Sequence, residues 1–177
     1  MRKTWSLVLL ALGAIGPNAL AQATANACGL LTAKELTDAI GMPVAEGAPN
    51  ETAIPSGPAK GQTMHGCMWR VGDQNMVSVT TIAAPTGEQR AAGLARIKQA
   101  YAQLKAKGWT ETSESFGPSL KCSTMTPPAS EANAPRMTGC MGEAKGQGIG
   151  VGFMGPGTTM PIAKIKALFD KASARIS

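Results

Sequence analysis

Apolar and polar residues alternate along several short stretches of the chain, which predicts a protein rich in β-strands. The first runs from His65 to Val71, and after a turn at 72–75 a return strand is predicted over Met76–Ala83, completing a hairpin. Four further strands are predicted later in the chain, at 109–116, 120–126, 137–145 and 148–154. Between Glu46 and Gln62 the chain is rich in Pro, Gly and Ala, which predicts a loop with a brief edge strand around 52–54.

Three helices are predicted from capping residues and from apolar spacing. Thr32 and Glu35 have the spacing of a capping box, and Gly41 supplies the stop, so a helix is expected over 33–40. A second helix is expected over 86–107, with an apolar stripe made by Leu94, Ile97, Tyr101 and Leu104, and a third from Pro161 to the end. The order of elements predicts an α+β fold in which helices pack on an antiparallel sheet.

The amino-terminal segment has the layout of a secretory signal peptide. A basic start is followed by an apolar run over 7–15 and by the small-x-small sequence at 21–23, so cleavage is expected after residue 23. We expect residues 24–177 to form a single domain in the periplasm or outside the cell, without a transmembrane segment. Lipid attachment at Cys28 is an alternative, although Ala25 and Asn26 fit a lipidation signal poorly.

Removal of Arg2 and Lys3 with the signal would lower the formal net charge from +6 to +4. That modest surplus could favour an anionic surface or an acidic partner, but usually it only keeps a protein soluble. Because the protein is expected to be exported, we do not expect nucleic acid as its partner.

The chain has four cysteines, Cys28, Cys67, Cys122 and Cys140, which in an oxidising compartment favour two disulfides. Three pairings are possible. We prefer Cys28 with Cys67 and Cys122 with Cys140, because each bond then closes one half of the chain. Structural zinc is disfavoured, since the sequence has one histidine and no C-x-x-C spacing.

Two cysteines lie in similar segments. Gly66-Cys67-Met68 is followed by a turn and by a Val-Ser-Val strand, and Gly139-Cys140-Met141 by a turn and by an Ile-Gly-Val strand. This similarity suggests related halves over 28–84 and 86–177, and its alternative is coincidence between two hairpins.

The sequence offers no catalytic constellation, so we predict that the protein is not an enzyme and has no cofactor or metal. His65 is the single histidine, and the G-x-S-x-G motif is absent. Met64, His65 and Met68 are candidate copper ligands, but alternation along a strand places the histidine on the face opposite the methionines. The G-x-G-x-x-G match at 150–155 lies inside a predicted strand, where it does not suit a dinucleotide.

The Cys28-Gly29-Leu30-Leu31-Thr32 start, the capped first helix and the later Cys67-Met68-Trp69 strand resemble a family of small bacterial cell-envelope proteins of unknown function, many of them lipoproteins. The resemblance spans roughly 28–83. It implies an α+β fold in which the two motif cysteines are bonded, and no established enzymatic activity.

We therefore predict a non-enzymatic binding protein of the cell envelope, whose partner is an unknown small ligand or an envelope protein. Trp69, Tyr101 and Trp109 are the candidate ligand-binding residues, and a pocket lined by them would favour a small ligand. A protein-directed periplasmic inhibitor or immunity-type protein is the alternative. It is suggested by the suspected repeat of the two halves and by the loops at 46–62 and 127–136. An exposed concave sheet face carrying aromatic residues would favour it.

Overall fold

A computed structural model describes residues 26–57, 59–83 and 86–176 of the chain, except for the side chains of Arg90, Leu94 and Ile97. The predicted signal peptide lies outside these residues. The helices are α1 (Ala33–Ile40), α2 (Gly87–Ala106) and α3 (Ile162–Ala174). The strands are β1 (Ala48–Ala53), β2 (Thr63–Val71), β3 (Asn75–Ala83), β4 (Thr110–Ser115), β5 (Lys121–Thr126), β6 (Pro135–Ala144) and β7 (Gln147–Pro156).

All seven strands join one antiparallel sheet in the order β1-β2-β3-β7-β6-β5-β4. The predicted α+β fold is confirmed. One element differs from expectation, because β1 begins at Ala48, inside the segment predicted to be mostly loop. This strand lies at the sheet edge and is exposed at most positions, so it lacks the apolar alternation that reveals a strand.

One face of the sheet, here called the core face, carries the hydrophobic core. Paired residues on five adjacent strands form a single row across it, and all are buried: Cys67, Val79, Val151, Cys140 and Cys122. Helix α3 packs on β5, β6 and β7, and a short 3₁₀ turn at Ala27–Gly29 packs on β2 and β3. Both predicted disulfides are present, Cys28–Cys67 and Cys122–Cys140, and the second joins residues that face each other directly on β5 and β6.

The first and last helices are joined by an ion pair. Thr32 and Glu35 form the predicted capping box, and Gly41 ends α1 with a left-handed φ of 81°. Both terminal nitrogens of the Arg175 guanidinium donate to the Glu35 carboxylate, at 2.7 and 2.8 Å, and Nη1 also donates to the Leu30 carbonyl. The hydrogen bonds from Arg175 lower the pKa of Glu35 to about 2.

Helix α2 lies on the opposite face, here called the second face. Ser123 is adjacent to Cys122 in β5 and therefore points away from the core, and the Tyr101 hydroxyl lies 3.2 Å from its hydroxyl. The preceding strand β3 ends where Ala83 pairs with Gln147, and β4 begins at the opposite end of the sheet, where Thr110 pairs with Thr126. The helix therefore crosses the second face diagonally.

The two Gly-Cys-Met segments occupy matching positions in the sheet. Cys67 pairs with Val79 and Cys140 pairs with Val151, and these two valines pair with each other at the centre. The helices do not repeat this relation, because α2 lies on the second face whereas α1 and α3 pack with the core. A duplication of the halves 28–84 and 86–177 stays a prediction.

Candidate functional site

The second face of the sheet is rich in methionine. It carries seven of the nine methionines in the described ranges: Met64, Met68, Met76, Met125, Met137, Met141 and Met154. Four of them pair directly across β5, β6, β7 and β3, in the order Met125, Met137, Met154 and Met76. We call this set the methionine row. Directly paired side chains on one face lie within contact distance, so four thioether side chains form one continuous strip.

Small residues follow beside the methionine row. The next row on the same face consists of Ser78, Gly152, Gly139 and Ser123, on the same four strands, and we call it the small-residue row. Met68 continues this row onto β2, where it pairs with Ser78. Beyond it, Thr80 and Gly150 pair, and Gly150 also pairs with Met141. The second face therefore has a shallow floor beside a raised wall of methionine side chains.

Burial changes along the methionine row. Met125, at the β5 end, is 3 % exposed, whereas Met137, Met154 and Met76 are half-buried. On the adjacent strand β2, Met68 is 37 % exposed. The closed end lies beside the carboxyl-terminal part of α2, whose Tyr101 contacts β5, and the open end lies on β3 and β2, away from the helix. The strip is thus covered at one end and accessible to solvent at the other.

Charged side chains lie at both ends of the methionine row. Met76 pairs with Arg70 on β2, which is exposed and makes no ion pair within the described part of the chain. Beyond the other end of the row lies Glu111 on β4, which pairs with Met125. Its carboxylate accepts from Lys105 and Lys121, each at 3.1 Å.

Burial raises the pKa of the Glu111 carboxyl, but the hydrogen bonds from Lys121 and Lys105 outweigh that effect and lower it. The carboxylate is therefore charged and already satisfied by two lysines. Arg70, in contrast, has no carboxylate partner among the described residues and is exposed to solvent.

The three aromatic residues predicted to bind a ligand do not share one pocket. Trp69 is 2 % exposed and lies on the core face beside Cys67. Tyr101 lies on α2 above the second face, with the Lys121 ammonium 5.7 Å from its ring centre. Trp109 is buried just before β4. Tyr101 therefore adjoins the methionine-rich face, whereas Trp69 belongs to the core.

Two small cavities lie elsewhere. One, of about 240 Å³, is lined by Asn26, Glu51 and His65 among others, and another, of about 380 Å³, lies between the start of α1 and Trp69. In the first, the His65 Nδ1 atom lies 3.0 Å from the Glu51 carboxylate. His65 and Met64 point to opposite faces, as predicted, so the three candidate copper ligands do not converge. Within the described residues, no group of three or more His, Cys, Asp or Glu side chains could hold a metal ion.

Sequence reasoning missed Arg70, Met76, Met137 and Met154. The available signal was the alternation in β7, where Gln147, Ile149, Val151 and Phe153 are buried and the residues between them are Gly148, Gly150 and Gly152. A strand in which one face is apolar and the other is nearly free of side chains indicates the close approach of another group.

Comparison with known proteins adds a likeness of fold. No family model and no curated protein matches the chain. A solved structure, the extracellular domain of PknH from Mycobacterium tuberculosis, superposes with a TM-score of 0.52 at 15 % sequence identity. The match covers 84 % of this chain and 93 % of that one. At this identity the likeness concerns the fold alone.

The disulfides indicate the compartment in which the protein resides. Two disulfides favour an extracellular or periplasmic location. Across 26–57, 59–83 and 86–176, every helix is too short or too polar to cross a membrane.

Proposed function

We propose that the protein is an exported, non-enzymatic binding protein of the cell envelope, and that it binds an apolar ligand against the second face of its sheet. The observation that supports this proposal is the methionine row, four directly paired methionines beside a floor of glycine and serine. The core does not require this strip, because the hydrophobic core lies on the opposite face.

The methionines of the second face are incompletely covered, which supports a binding role rather than a purely structural one. If the methionines served only to seat α2, they would be enclosed beneath it. Instead Met68 and Met141 are 37 % and 49 % exposed, and three members of the row are half-buried. Soluble proteins rarely leave a contiguous apolar strip open without a use for it. Methionine also suits a binding surface, because its unbranched thioether adapts to the shape of the ligand.

The test uses N-phenyl-1-naphthylamine, a neutral apolar probe whose fluorescence rises when it leaves water. We expect the mature, disulfide-bonded protein to bind it saturably, at one probe per chain. A Met68→Glu variant, which places a carboxylate at the open end of the floor, should weaken binding about tenfold, since a charge is costly in an apolar contact. A matched Thr112→Glu variant should bind the probe as the parent does. Thr112 lies on the exposed edge strand β4 and points away from the second face.

The proposal fails if the folded protein shows no saturable fluorescence, or if the Met68→Glu variant binds the probe as tightly as the Thr112→Glu control. Circular dichroism and the urea midpoint of each variant establish that both are folded. Met68 lies at the surface, so the substitution should leave the midpoint nearly unchanged.

A further inference from the structure

We infer that the ligand is a single-chain amphiphile with an anionic head, bound with its head at Arg70 and its tail along the methionine row. This inference rests on the proposed function and names its ligand class. Arg70 on β2 pairs with Met76 on β3, so Arg70 extends the methionine row by one strand. A cation therefore stands at the end of an apolar strip.

The burial gradient sets the direction of binding. Arg70 is exposed, the middle of the row is half-buried, and Met125 is 3 % exposed. A tail directed toward Met125 leaves water progressively, while its head stays at the solvent-exposed end. The reverse orientation would place the charged head at the closed end of the row, beside Met125, where it would have to leave water. Burying a charge in an apolar contact is costly, so that orientation is disfavoured.

The dimensions suit one extended hydrocarbon chain. Strands lie about 4.8 Å apart, so the path from Met125 to Arg70, which crosses four strand spacings, is about 19 Å long. The floor is narrow, since same-face rows lie about 7 Å apart and the small-residue row is one row wide. Beyond it the thioether of Met141 rises again on β6. A ligand with two parallel chains would not fit on this floor.

The carboxylate head is the part that Arg70 would recognise. A guanidinium donates two parallel hydrogen bonds to a carboxylate, which gives geometric selectivity as well as charge attraction. Because Arg70 is exposed, we expect the gain over an uncharged head to be about five- to tenfold in affinity.

The experiment compares probes that share one tail. Dodecanoate, dodecanol and dodecyltrimethylammonium are titrated calorimetrically into the mature, disulfide-bonded protein, below their micelle concentrations. Dodecanoate should bind about five- to tenfold more tightly than dodecanol, and the cation more weakly than both. In an Arg70→Gln variant the preference for dodecanoate should vanish while dodecanol affinity is kept. A Lys164→Gln variant, changed on the exposed side of α3, should keep the preference.

Four results would overturn the inference: equal affinity for dodecanoate and dodecanol, a preference that survives in the Arg70→Gln variant, butyrate binding as tightly as dodecanoate, or binding of two-chain phospholipid vesicles but not of dodecanoate. In each case the proposed function is judged separately, by the effect of Met68→Glu on N-phenyl-1-naphthylamine binding. If that effect persists, the face binds an apolar ligand of another class.

Discussion

Filling the floor of the second face separates its structural role from its binding role. Gly152 lies at the centre of the small-residue row, between Ser78 and Gly139. A Cβ at this position would lie 3.4 Å from the Ser78 hydroxyl and 3.9 Å from the Thr138 carbonyl, so a side chain can be accommodated with little movement. Valine there would point onto the floor, beside the methionine row.

The substitution Gly152→Val should stabilise the protein while weakening binding. Glycine in the interior of a strand costs about 1 kcal/mol relative to a β-branched residue. The melting temperature should therefore rise by about 2–4 °C. The added isopropyl group occupies space that a ligand would fill, and overpacking costs about 1–3 kcal/mol. The affinity for N-phenyl-1-naphthylamine should therefore fall by about 5- to 150-fold.

Differential scanning fluorimetry and probe titration measure the two effects on the same sample. A Thr112→Val variant on β4 adds apolar surface away from the floor and should leave probe binding unchanged. Unaltered probe affinity in the Gly152→Val variant would show that the floor lies outside the binding surface, and the proposed site would then be wrong. A lower melting temperature would instead show that the floor is closely packed.

Two further predictions concern stability. Because the folded pKa of Glu35 is about 2, below its unfolded value, the ion pair with Arg175 stabilises the fold fully above about pH 4.5, and this contribution is lost as the pH falls toward 2. Allowing for solvent screening, the ion pair contributes about 1–2 kcal/mol to the free energy of unfolding. Urea titrations of a Glu35→Gln variant should show that this contribution is lost at neutral pH, and that the free energy of unfolding falls less steeply as the pH is lowered. Removing the Cys122–Cys140 bond, which spans 18 residues, should cost about 3 kcal/mol in the chain-entropy model, against about 4 for Cys28–Cys67, which spans 39. Equal losses in the paired Cys→Ser variants, measured by urea midpoint, would contradict that loop-length argument.

The local features of the fold were predictable from sequence. The capping box at Thr32 and Glu35 and the stop at Gly41 act within one helix, so neighbouring residues determine them. The hairpin of β2 and β3 and the facing pair Cys122 and Cys140 are likewise separated by short stretches of chain.

The candidate site was not predictable, because it depends on pairings between distant strands. Met76 and Met154 are neighbours only because β3 pairs with β7 at the centre of the sheet. No periodicity within either strand reveals that pairing. The choice of Trp69 as a ligand-binding residue rested on its size, yet it shares a face with Cys67 and lies in the core. The size of an aromatic side chain does not tell whether it lies on the core face or on the opposite face of its strand.

Nuclear magnetic resonance of the methionine methyl groups would show whether a ligand lies against the methionine row. The mature protein is labelled with ¹³C at the methionine methyl positions and titrated with dodecanoate. We expect the signals of Met68, Met76, Met137 and Met154 to shift, whereas those of Met42 and Met160, which pack with the core, stay unchanged. Shifts centred on Met42 or Met160, or no saturable shift at any methionine, would show that the ligand does not bind at the methionine row.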